Sequence, residues 1–221
     1  MNVAAQGNID GQPTKNSLAA SWSGVVAAIC AFAALFLVFW FTPMTNTDDA
    51  ARELTQFYGD ETKRLALLIA EPLALVATAA FVLMFGRLAN QFRIAGEMST
   101  SSVVLAGGAT FAALMLGGMV ADTVIAGTMS FTKAFSFDPD LAMVLSHFGY
   151  VTKVGAAIAA GVVAGTAGAA MRRGSIGTRG LGTFGYVVAG LAVLSIFFVY
   201  LPLVIFLIWA LITSLKLRAP A

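Results

Sequence analysis

Three ionisable side chains stand where a charge is expensive. Glu71, Asp122 and Lys153 lie within or directly beside long apolar stretches, and a charge facing lipid there costs about 2–3 kcal/mol on the insertion scale. They are expected to face inward, to pair with one another, or to reach the interface. His147, the only histidine, and Tyr150 fall one to two helical turns from Lys153. The candidate intramembrane cluster is therefore Glu71, Asp122, Lys153, His147 and Tyr150. Two readings fit it. One is a proton or cation relay, or an anion site at Lys153, opening outward. The other is an ion-pair girdle marking the outer ends of three helices, which asks less because each charge lies within a turn or two of the end of its apolar run.

Other chemistry finds less support. Ser146 precedes His147, but adjacent residues on a helix do not face one another, and no orienting acid or oxyanion site accompanies them. His147 with Asp138 and Asp140 makes a thin metal set, and the single Cys30 lies inside an apolar run, so neither a zinc site nor a redox pair is expected. One histidine also leaves no paired-histidine haem site. Gly180-Leu-Gly182-Thr-Phe-Gly185 matches G-x-G-x-x-G, yet it follows a membrane helix instead of a strand and reads as a connector. No catalytic, cofactor or metal residue is assigned; a membrane enzyme stays open as a third class, behind the two below, for which convergent catalytic groups are missing.

The elements that carry these residues follow from composition and charge. Of 221 residues, 59% are hydrophobic and only 11% charged, against roughly 45–50% and 25% in a soluble domain, and the mean hydropathy is +0.87. The chain belongs in a bilayer. A formal charge of +2, with basic residues scattered in short loops, gives no nucleic-acid footprint.

Residues 1–21 read as a disordered tail, and 22–217 as one all-α membrane domain. The first span is Gly24–Phe41, an uncleaved anchor with Trp22 and Trp40 at its ends. The loop 42–64 is expected to hold a short helix on the membrane surface, capped by Thr47, with Leu54, Phe57 and Tyr58 on one face and a stop at Gly59. Leu65–Phe85 is the second span, with Pro72 read as its first helical residue and Glu71 as a boundary residue. Val103–Ala121 is the third, and Leu141–Arg173 holds the fourth. Leu181–Leu215 carries no charge; as one helix it would run roughly 50 Å against a core near 30 Å. Two short spans around a turn near Tyr200-Leu201-Pro202 fit better.

Six spans with a cytoplasmic amino terminus put Lys15, Arg87, Arg93, Arg172, Arg173, Arg179, Lys216 and Arg218 inside. The acids Asp48, Asp49, Glu53, Asp60, Glu61, Asp138 and Asp140 then fall outside. That is the positive-inside pattern, and it predicts a six-helix polytopic bundle with both termini cytoplasmic. Small residues, including Gly107-Gly108, Gly117-Gly118, Gly155, Gly161, Gly165 and Gly168, predict close helix packing in spans three and four, or a face for a homodimer or a membrane-protein partner.

The acidic first external loop, Asp138-Pro139 before span four, Arg172-Arg173 followed by Leu181-Gly182, and Trp209 in the final span resemble a group of small bacterial six-helix integral membrane proteins of unassigned function. That resemblance implies the fold and a bacterial cytoplasmic (inner) membrane location, and carries no catalytic residue across. The functional expectation is an accessory or assembly subunit of a membrane complex; the alternative is a small-solute or proton/cation transporter built on Glu71, Asp122 and Lys153.

Overall fold

The computed structural model describes residues 15–42, 49–132 and 135–217, with side chains described from Trp22 onward. All regular secondary structure among the described residues is helical. Helix α1 is Lys15–Phe41, α2 Ala50–Gly59, α3 Glu61–Ile94, α4 Met98–Phe131, α5 Pro139–Arg173, α6 Arg179–Ala192 and α7 Tyr200–Lys216, with a 3-10 turn at Val193–Ile196. Residues 15–21, read from sequence as tail, continue α1 as helix; residues 1–14 lie outside the described residues. Five segments are long and apolar enough to cross a membrane: α1, α3, α4, α5, and α6 with its 3-10 turn. The seventeen-residue α7 is apolar but shorter. The chain is thus a multi-pass helical membrane bundle by length and hydropathy.

Consecutive long helices pack side by side, α1 on α3, α3 on α4, α4 on α5 and α5 on α6, while α7 returns against α1, α5 and α6. Its Phe206 and Trp209 are fully buried. Phe206 stacks among Phe81, Phe85 and Phe111 at 4.9–6.3 Å, and the Trp209 indole donates to the Leu181 carbonyl at 3.3 Å, meeting the polar need of a buried ring.

Small residues set the helix spacing. A Cβ on Gly168 would lie 2.6 Å from the Gly182 carbonyl oxygen, and one on Gly161 would lie 2.4 Å from Ala192. On the other side of α5, Gly118 of α4 meets Lys153 and Gly107 meets Val163. The glycines of α5 are spent between two neighbours of the same chain, α4 and α6. The small-residue face left open is the outer side of α4, where Ala106, Thr110 and Ala113 are exposed and a Cβ on Gly117 would meet nothing within 4 Å.

Several boundaries differ from the sequence reading. α3 starts at Glu61, where the Asp60 carboxylate accepts from Thr62 and Lys63 amides at 2.9 and 3.3 Å, a standard N-cap. Pro72 is therefore inside a 34-residue helix, where it leaves the Leu68 carbonyl without its usual amide partner. α4 continues through Asp122 to Phe131, and Lys153 sits inside α5. None of the three charges ends its helix. The break in the last apolar run falls at 197–199, before Tyr200: Pro202 is tolerated in the first turn of α7 but its ring would clash with the Phe198 carbonyl of a continuing helix.

α2 also differs. Thr47 lies outside the described residues, and the helix begins after Asp49, whose side chain makes no cap bond. Its apolar face does not lie on the membrane: Leu54, Phe57 and Tyr58 are 1–4% exposed, packed onto α3 and α5. The Arg64 guanidinium donates to the Tyr58 carbonyl, and Lys63 sits over the Phe57 ring at 5.8 Å. α2 caps the bundle of which it is part.

Candidate functional site

Under α2 lies the one ion pair among the described residues that is buried. Lys153 Nζ donates to Asp122 Oδ2 at 2.5 Å, with side chains 4% and 5% exposed. Tyr200, at the start of α7, completes the site: its hydroxyl is 3.4 Å from Lys153 Nζ, and its ring lies 5.5 Å from the same ammonium. Phe39 of α1 packs edge-on against Tyr200 at 4.9 Å. Three helices thus meet at one charge pair, with α1 packed behind Tyr200.

Two glycines open the space that the pair fills. Gly118 precedes Asp122 by one turn on α4, and Gly149 precedes Lys153 by one turn on α5. Residues four apart share a helix face, so each glycine lies where the opposing charge must enter. A Cβ on Gly149 would lie 2.6 Å from Asp122 Oδ1, and one on Gly118 would lie 3.0 Å from Lys153 Cγ. Taking two charges out of water costs several kcal/mol each, and only close geometry with further hydrogen bonds offsets it. The 2.5 Å contact and the Tyr200 hydroxyl supply both.

Tyr58 of α2 is near enough to feel the same carboxylate's charge. Its phenol is held well above the ordinary tyrosine range, first by burial and second by the negative charge of Asp122. Tyr58 also packs on the Phe137 ring at 5.2 Å, in the segment that leads into α5.

The structure brings together only part of the sequence cluster. Asp122 and Lys153 pair, in the interior and not on a rim. Glu71 shares their depth, because Gly108 faces Phe85 and Gly127 faces Leu68 across α3 and α4; that register sets Glu71 level with Val124. Its carboxylate, however, is on another face, half-buried, and makes no ion pair among the described residues. His147 is exposed and bonds Met143 O of its own turn through Nδ1 at 3.0 Å. Tyr150 is 38% exposed, and its hydroxyl donates at 2.6 Å to the Ile196 carbonyl, pinning the 3-10 turn before α7. Asp138, considered above with His147 for a metal, caps α5 by accepting from the Asp140 amide at 2.9 Å and the Leu141 amide at 3.4 Å.

Tyr200 and Tyr58 were not legible as members of the site. Tyr200 carries one signal, a hydroxyl within a charge-free apolar run beside a proline; Gly118-x-x-x-Asp122 and Gly149-x-x-x-Lys153 carry another, a small residue one turn before each buried charge.

At the opposite end, Glu97 accepts from Arg173 at 2.8 and 3.3 Å. That hydrogen bond, ahead of the remaining influences, holds the Glu97 carboxyl below its ordinary range. The pair clips the α3–α4 turn to the end of α5. The chain matches no protein-family model, no curated protein and no solved structure, so the resemblance to the six-helix group rests on the residues alone.

Proposed function

We propose that this chain is a six-span integral membrane protein, with both termini in the cytoplasm, acting as an accessory or assembly subunit of a complex in a bacterial cytoplasmic membrane. The observation that carries the reading is the closure of the Lys153–Asp122 pair: it is buried, satisfied by Tyr200 and covered by α2, the configuration of a packing lock. α7 supplies the sixth crossing by running back from Tyr200, beside Lys153, to Leu217, whose carbonyl accepts from Arg87. Trp22 and Trp40 are 53% and 69% exposed and, at 1.5 Å per residue, about 27 Å apart along α1, the separation expected of two interfacial belts. The protein keeps little mass outside these belts, so it meets other molecules through helix surface, with the open stripe of α4 suited to a second copy or a partner helix.

The experiment is extraction into lipid nanodiscs followed by native mass spectrometry. A stoichiometric second protein supports the subunit reading; a lone monomer or a homodimer overturns it in favour of transport. Transport is the second reading, favoured by Glu71, a carboxylate at the depth of the ion pair that makes no ion pair among the described residues. It requires that Glu71→Gln abolish flux without lowering yield.

A further inference from the structure

At the end of the bundle away from α2, a cavity opens between α1, α3 and α7. Measured as the space available to the centre of a water molecule, it is about 20 Å³, and Ser23, Met84, Arg87, Gln91, Thr213 and Ser214 contribute to its lining. Two polar atoms there have no hydrogen-bond partner among the described residues, the Gln91 amide oxygen and the Thr213 hydroxyl. Thr213 is only 2% exposed. Buried polar groups are nearly always partnered by protein or by ordered water, and an exception calls for an explanation.

The lining chooses among occupants. An apolar group would leave both atoms unmet. A cation would meet the Arg87 guanidinium; an anion would meet the Gln91 oxygen. Water both donates and accepts, and one water needs about 10–15 Å³ and two to four polar partners. Arg87 spends one donor on the Leu217 carbonyl at 3.3 Å and keeps others, since a guanidinium carries five. We infer that this cavity is a built water site, in which ordered water accepts from Arg87 and bonds the Gln91 oxygen and the Thr213 hydroxyl, tying α3 to α7 beside the direct Arg87–Leu217 bond.

The cavity contains its own reporter. Met84 lines it and is 5% exposed, while Met115, equally buried, and Met171, at 0%, line no part of it. In X-ray hydroxyl-radical footprinting of the full chain in nanodiscs, radicals form from the water at hand, and a methionine beside bound water is oxidised despite its burial. Met84 is expected to react at least about ten times faster than Met115 and Met171, and Thr213→Val with Gln91→Leu should bring it down to their rate. Met84 as protected as Met115 in the wild type overturns the inference. So does fast labelling that persists in the variant, which means that solvent enters without being held. If the double variant does not fold, Thr213→Val alone, close in shape, reads the same loss, with unchanged Met115 and Met171 rates reporting an intact core.

Discussion

Neutralising Lys153 tests whether the buried pair is a lock. At 2.5 Å and an effective dielectric constant of about 20, the attraction is ~7 kcal/mol. Against it stands the desolvation of two ions, several kcal/mol each, so the intact pair contributes little net stability. Removing one partner is different. Lys153→Met leaves the Asp122 carboxylate buried with no cation, and such losses run to about 3–5 kcal/mol. For a chain of this length that corresponds to a fall in Tm of roughly 6–20 °C, read in nanodiscs from the fluorescence of Trp209 in a Trp22→Phe, Trp40→Phe background. Asp122→Leu should lose a similar amount, and the double variant, with neither charge, should recover most of the loss. The coupling between the two changes is thus large and opposite in sign to the single effects. Single variants that melt within a degree of wild type, or a double variant that melts at the sum of the two losses, would refute the burial argument. Intact melting with lost flux would move the pair from architecture to transport.

Gly149→Ala drives a methyl to within 2.6 Å of Asp122 Oδ1 and should cost about 1–3 kcal/mol by overpacking, while Gly117→Ala, which meets nothing within 4 Å, should be neutral or slightly stabilising; the same melts compare them. Leu54→Ala in α2, at 1% exposure, should cost about 2–5 kcal/mol, whereas a helix merely resting on headgroups would lose almost nothing. Tyr58 is raised by folding, so the unfolded chain ionises first: stability holds below about pH 10 and falls as pH rises beyond it, and Tyr58→Phe should flatten that fall in melts across this range. Glu97 is lowered, so its contribution is present above the ordinary carboxylate range and lost as pH falls through it; Glu97→Gln or added salt should remove that dependence, leaving the rest of the acid limb unchanged.

Apolar length is written directly in composition, and with it the membrane class and the helices that carry it. Where a charge sits relative to those helices is not. An apolar run that stops at Asp122 looks like a helix ending there, because hydropathy falls at any carboxylate; the helix continues because Lys153, thirty-one residues away, neutralises that carboxylate inside the bundle. Pro72 misleads in the same way: its ring suggests a start, but Asp60 caps the helix three turns earlier and the helix runs on through the proline. The amphipathic face of α2 was visible as a pattern, yet a pattern does not name what covers it. Lipid headgroups and the top of the same bundle ask for the same residues, and only the burial of Leu54, Phe57 and Tyr58 against α3 and α5 distinguishes them. What the sequence does carry is a steric signature: a glycine one turn before each buried charge. A charge that ends a helix at the interface has no need of a missing side chain on its own face, whereas one that must reach an opposing helix does. Gly118 and Gly149 therefore argue for an interior pair on grounds independent of hydropathy, and a bulky residue in place of either should force the two charges apart before it disturbs any other part of the core.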